Sequence, residues 1–240
     1  AMMLTVIVPP AYPPENIGVI VSSAVRAASA IGVDIVGGHT EFSDCVTRAI
    51  VSATVAGFCN RLLTKDGVKK GDRLGVTKRL GMEGVAILLE ATGNTDSALY
   101  SSYKSRLSVV PESRVLSSLP AVSMMHDVTE GGILGAVAEV VASRGLGARI
   151  YADKLPIDSE AQAVCDRAGV DILRLLSSGA MLFATADMPG ALRALQQAGI
   201  EGCEIGVVTD GRTELITADG AQPVTVQRDA LYDYVGIADK

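Results

Sequence analysis

Residues 121–145 read AVSMMHDVTEGGILGAVAEVVASRG. The stretch opens with a short apolar run, Ala121 to Met125, of strand-like length. A polar turn follows through His126, Asp127, Val128, Thr129 and Glu130 into Gly131-Gly132. Beyond the glycines, Ile133, Leu134, Val137, Val140 and Val141 recur at the spacing of one apolar helix stripe. A glycine turn that opens a helix exposes backbone N–H groups and the positive end of the helix dipole, which suits an anion. An imidazole, a carboxylate and a hydroxyl share that turn. Two readings stand at this point. Asp127 and Thr129 either cap the helix while the glycines relieve crowding, or the turn holds a ligand.

Working outward, Met3–Val8 and Val33–Val36 read as strands around a helix whose apolar face carries Ile17, Ile20, Val21, Ala24, Val25, Ala28 and Ile31. The second strand ends in Gly37-Gly38-His39-Thr40-Glu41, taken here as another glycine-rich polar turn. Arg48–Phe58 is a further strand, giving β-α-β-β. The polar, lysine-rich stretch Cys59–Asp72 marks a boundary, so the domains are expected at 1–63 and 64–240. Beyond it, strands are expected at Arg73–Thr77, Arg149–Ala152, Ala180–Ala186, Cys203–Val208 and Thr213–Thr217, the last two joined by the Asp210-Gly211 turn. Helices are expected from Leu80 to about Ala91, over Ser159–Ala168 and over Pro189–Ala198, with helical pieces between Thr92 and Ser118. The class is α+β, or mixed α/β: a partial N-terminal β-α-β-β domain and a larger domain with a mixed sheet covered by helices.

Composition limits the function. The net charge of −6 and scattered basic residues give no footprint for nucleic acid. No apolar run is long enough to span a membrane. The four cysteines, Cys45, Cys59, Cys165 and Cys203, form no C-x-x-C pair and only two histidines are present, which argues against structural zinc and fits free thiols in the cytoplasm.

Gly37-Gly38-His39-Thr40, Gly81-Met82-Glu83-Gly84 and His126 to Gly132, in that order, resemble the aminoimidazole ribonucleotide (AIR) synthetase superfamily. The H-D-x-T-x-G-G turn is most similar to its hydrogenase-maturation, carbamoyl dehydratase-like branch. Gly71-Asp72 before a strand and the Asp153–Ile157 turn fit the same order. The resemblance implies an ATP-dependent enzyme that phosphorylates an amide or carbamoyl oxygen, with Mg²⁺ on carboxylates and a dimer built from the first domains. Phosphoryl transfer needs mainly positioning and charge neutralisation, which such a site supplies. On this resemblance His126 and Asp127 are the candidate catalytic pair. Gly37, Gly38, Thr40, Thr129, Gly131 and Gly132 would approach nucleotide or phosphate, and Asp127 and His39 would be metal ligands. His39 stands where the kinase and dehydratase branches carry a metal-associated Asp. Glu41 and Asp44 are weaker candidates, and Lys78 and Arg79 would either neutralise phosphate or form a surface pair.

Two departures qualify the resemblance. The chain starts where the family's first domain is half complete, so a separate chain supplying the upstream segment is one expected partner, beside a small-molecule substrate and a second copy. The hydrogenase-maturation branch ends in a cysteine, whereas Tyr234 to Lys240 has none, so authentic carbamoyl dehydratase activity is not expected. The alternative is a non-catalytic paralogue acting as a dimeric binding or regulatory protein. A generic phosphate-binding α/β protein is a third reading.

Overall fold

A computed structural model describes residues 1–234; the terminal stretch read for a missing cysteine lies, from residue 235 on, outside the described residues. The chain divides into two compact units, Ala1–Leu62 and Leu63–Lys240.

In the first unit, β1 (Met2–Val8) lies between β2 (Ile35–Phe42), parallel to it, and β3 (Ile50–Val55), antiparallel. Helix α1 (Pro14–Ala30) starts on a proline whose missing N–H is no loss in the first turn. It covers one face of the sheet, where Leu4, Val6 and Val8 pack with Ile17, Ile20 and Ala24. Two-residue alternation explains why those three strand residues are buried together. One expectation is corrected here. Gly37 to Glu41 is not a turn but the middle of β2, with Gly37 opposite Met3 and Glu41 opposite Ile7. A glycine pair signals a turn locally, yet parallel pairing with β1 prevails.

The second unit is built on a seven-stranded sheet in the order β10-β9-β6-β8-β4-β7-β5. Its strands are β4 (Arg73–Thr77), β5 (Val122–Asp127), β6 (Leu146–Tyr151), β7 (Met181–Thr185), β8 (Gly202–Asp210), β9 (Glu214–Thr217) and β10 (Gly220–Pro223). Its helices are α2 (Met82–Ala91), α3 (Ala98–Ser105), α4 (Val110–Ser117), α5 (Gly132–Ala142), α6 (Ser159–Ala168) and α7 (Met188–Gln197). Alternation along β7 sorts the two faces. Leu182 and Ala184 join Ile133, Val137, Val140 and Val141 of α5, whereas Met181 and Phe183 join Leu116 of α4 and Leu195 of α7. A third cluster joins α2, α3 and α6 through Met82, Leu88, Tyr103 and Cys165.

The expected strand pair around Asp210-Gly211 does not form. Strand β6 inserts between β8 and β9, antiparallel to the first and parallel to the second, and β9 pairs onward with β10. The turn chemistry was present, but it does not record a long-range insertion. His126 and Asp127, expected in the turn, are the last two residues of β5.

Candidate active site of the second unit

Strand β7 lies between β4 and β5, and all three are held together at one end. Asp127 is opposite Met181, whose amide donates to Thr77 Oγ1 at 3.0 Å. From that end β4 leads to α2 and β5 leads to α5. Both helices begin on a left-handed glycine, Gly81 at φ +75° and Gly131 at φ +81°, a conformation that costs other residues about 1–2 kcal/mol.

Both helix starts pack on one segment, the short 3₁₀ turn Ile172–Arg174 and the two leucines after it. A Cβ on Gly84 would lie 2.8 Å from Leu176 O, and one on Gly132 would lie 2.5 Å from Leu173 O. The Gly84 amide donates to Leu176 O at 2.9 Å, and the Gly81 amide to Ser177 Oγ at 2.8 Å. The two glycine motifs of this unit therefore flank a shared wedge. Gly132 is explained by that close approach and Gly131 by its backbone angle.

Within residues 126–132 the side chains have separate surroundings. Asp127, Thr129 and Glu130 are exposed, while Val128 is buried and its amide donates to Ala180 O at 3.0 Å. The Gly132 amide donates to Thr129 O at 3.1 Å. His126 is half-buried, with Nε2 3.8 Å from Glu139 Oε2 on α5. Glu139 Oε1 accepts from Lys65 Nζ at 3.0 Å. That hydrogen bond, opposed by partial desolvation and aided by His126, holds the Glu139 carboxyl below the usual range. The Gly131 amide, the first donor expected to meet an external anion, donates instead to Asp229 Oδ2 at 2.8 Å. Asp229 is almost fully buried. Burial pushes its carboxyl above the ordinary range, against the amides of Leu231 and Gly131 that favour its charge. Nothing local marked Asp229 as a partner of Gly131.

Lys78 differs from expectation, whereas Arg79 does not leave the surface. Lys78, at φ +55°, is buried, and its ammonium donates to Arg106 O at 2.9 Å and Ser108 O at 2.8 Å beside Glu112 at 2.7 Å. It is neither a surface residue nor available to a phosphate. Arg79 is paired with Asp158 at 2.8 Å and Glu201 at 3.0 Å.

The candidates of the first unit sit on β2. His39 Nε2 is 3.3 Å from Glu41 Oε2, and both side chains are exposed. Gly37, Gly38, His39 and Thr40 line a cavity of about 230 Å³ with Leu4, Val6, Val21, Val25 and Ile35. That is below the ~300–1,000 Å³ common for small-molecule pockets, and most of its side chains are aliphatic. Gly38 is there for packing, since a Cβ would lie 1.8 Å from Leu4 O. Asp44 is exposed in the following loop.

A Mg²⁺ ion carried on nucleotide phosphates needs only one or two carboxylates from protein, because phosphate oxygens and water complete the shell. Among the described residues no group of three or more His, Cys, Asp or Glu side chains converges to hold a metal ion. The exposed Asp127 carboxylate therefore suits a phosphate-borne ion rather than a bare one.

Residues 69–218 match the family model of the AIR synthase related protein, C-terminal domain. A hydrogenase expression/formation protein of Methanocaldococcus jannaschii is 31% identical over 186 residues, covering 77% of this chain and 55% of that protein. The carbamoyl dehydratase HypE of Cupriavidus necator is 28% identical over 214 residues, 84% of this chain and 60% of its own. The chain thus spans somewhat over half the length of these relatives. In structure, Escherichia coli HypE, a hydrogenase maturation protein, superposes with a TM-score of 0.83 at 23% identity, over 94% of this chain and 73% of the other. That likeness concerns the fold.

Proposed function

The chain belongs to the AIR synthase related family, and on that premise we propose that it is an ATP-dependent phosphoryl-transfer protein whose working turn is residues 126–132. The substrate class is a small molecule with an amide or carbamoyl-type oxygen, the class implied by the sequence resemblance and consistent with the names of the relatives. The observation that carries the reading is the exposed Asp127 carboxylate at the end of β5, where two glycine-started helices flank one wedge; His126, the residue before it, faces α5.

Asp127 is the residue to hold Mg²⁺, which when bound would neutralise phosphate charge. His126 is the residue to exchange a proton with the substrate, with the Glu139 carboxylate, itself bonded to Lys65, 3.8 Å from its ring. Thr129 offers an exposed hydroxyl two residues beyond Asp127. Backbone donation from Gly131 is already committed to Asp229, so Gly131 and Gly132 serve by shaping the turn. In the first unit taken by itself, His39, Gly37, Gly38 and Thr40 are proposed as residues that approach nucleotide.

We also propose that a second copy of the chain pairs through the first unit. Val36, Phe42, Ile50, Val51 and Val55 on the outer strands β2 and β3 are exposed apolar residues, and sheet edges of that kind favour a partner.

The alternative is a protein that binds nucleotide without turning it over. Calorimetric titration with Mg·ATP separates the possibilities. Binding that weakens at least about tenfold in Asp127→Ala, roughly the loss of one charge-assisted contact, supports the site. Binding without phosphate release in the presence of carbamoyl compounds supports a binding protein. No heat at millimolar Mg·ATP refutes both nucleotide readings.

A further inference from the structure

The last described residues, 225–234, run back across the start of α5. Asp229 uses both carboxylate oxygens there: Oδ2 accepts from the Gly131 amide and Oδ1 from the Leu231 amide, each at 2.8 Å. Tyr232 donates its hydroxyl to Glu130 Oε1 at 2.7 Å. Arg174, on the wedge, bonds Gln227 and lies 3.1 Å from Asp233, which also pairs with Arg228 at 2.6 Å. Apolar residues fix the same segment from beneath. Ala230 is fully buried, and Leu231 and Tyr234 pack against the cluster of α2, α3 and α6.

Steric contact holds the two glycines unequally. Gly132 is confined by the Leu173 carbonyl, whereas the nearest atom to a Cβ at Gly131 is 3.5 Å away. Two consecutive glycines at positive φ have more backbone freedom than any other pair, and at Gly131 packing does not remove it. The Asp229 carboxylate does. A buried acid survives there because amide donors surround it and because it faces the positive end of α5.

We propose that this strap is a clamp on the candidate turn, with Asp229 the positioning residue that holds Gly131 in the conformation presenting Asp127 and Thr129 to ligand. Its functional half rests on the nucleotide reading above; its structural half does not. The strap binds the turn from the side of the wedge: the Asp229 carboxylate ties it to the start of α5, and Arg174 ties it to the Ile172–Arg174 turn through Gln227 and Asp233.

Backbone hydrogen exchange and Mg·ATP titration on the full chain test this, using the wild type, Asp229→Ala, Asp229→Asn and Tyr232→Phe. In Asp229→Ala, exchange across residues 129–133 rises about tenfold or more while β4 and β7 are unchanged, as expected for local rather than global opening. Its affinity for Mg·ATP falls by a similar factor. Asn offers one acceptor for two amides, so Asp229→Asn falls between wild type and alanine. Tyr232→Phe, at an exposed position, keeps the fold and raises exchange roughly two- to threefold, as loss of one exposed hydrogen bond should. Unchanged exchange in folded Asp229→Asn and in Tyr232→Phe overturns the clamp. Raised exchange with unaltered or tighter Mg·ATP binding overturns its positioning role. If the wild type itself binds no Mg·ATP, the nucleotide reading and the positioning role fall together, and the exchange data still decide whether the strap clamps the turn.

Discussion

Two glycine pairs, Gly37-Gly38 and Gly131-Gly132, look alike in sequence and are used differently. The first lies inside β2, where Gly38 lets one strand's backbone meet the Leu4 carbonyl. The second begins α5, where Gly132 meets the Leu173 carbonyl and Gly131 turns through a left-handed angle. In each pair one glycine is demanded by backbone contact. The surroundings then diverge. The first pair stands among aliphatic residues on an outer strand, whereas the second has nearby an exposed carboxylate, a half-buried histidine and a buried acid on its amide. A glycine pair marks backbone proximity; polar groups around it decide whether a site exists.

The largest expected effects break the two contacts directly. Gly132→Ala and Gly38→Ala should each destabilise their own unit by about 3 kcal/mol, since backbone atoms must move to admit the methyl group. Urea unfolding monitored separately in the two units checks this. Gly131→Ala has room but the wrong backbone angle, so a loss of about 1–2 kcal/mol is expected. Gly37→Ala meets nothing within 4 Å and should change stability by under ~1 kcal/mol. Equal costs at Gly37 and Gly38 would remove the packing account of the first pair.

Thiol labelling contrasts the units. Cys45 and Cys59 are exposed, whereas burial pushes the Cys165 thiol up to about 12. At pH 8, a disulfide reagent should modify the first two quickly and Cys165 only on unfolding. Rapid native labelling of Cys165 would contradict the packing of α6. Light scattering tests the proposed pairing through β2 and β3: a dimer is expected at micromolar concentration, and a clean monomer would refute it.

The smallest effect concerns pH. The Glu139 carboxyl is lower in the folded chain than unfolded, so its contribution is present above the unfolded value and is lost as pH falls through the folded one. Glu139→Gln should flatten the stability profile below about pH 4.5, by no more than ~0.5 kcal/mol because the pair is largely exposed. A profile unchanged from wild type would remove the Lys65–Glu139 tie from the support of His126.

Much of the fold was legible because its signals are local. Strand β4 and helix α6 carry their own periodicity and end where the sequence suggests, at Thr77 and Ala168. The mixed sheet was legible as a class but not as an order. Asp210-Gly211 promised adjacent strands, and the insertion of β6 between them depends on residues more than 50 positions upstream. Gly37 to Glu41 misled for the complementary reason, since a turn-forming composition was recruited into a parallel pair. In the candidate site, the strand–turn–helix around His126 to Gly132 was legible because strand, polar residues, glycines and helix follow one another. The wedge at Ile172–Arg174 and Asp229 could not. Asp229 stands 98 residues from the amide it accepts, in a segment whose own pattern suggests only a helix cap.

The most direct test of the central claim places the nucleotide. With Mn²⁺ replacing Mg²⁺ on ATP, paramagnetic broadening in amide spectra should be strongest at Asp127, Thr129 and their neighbours through residue 132, and should vanish in Asp127→Ala. Broadening that leaves residues 126–132 sharp, or that persists undiminished in Asp127→Ala, would contradict the account.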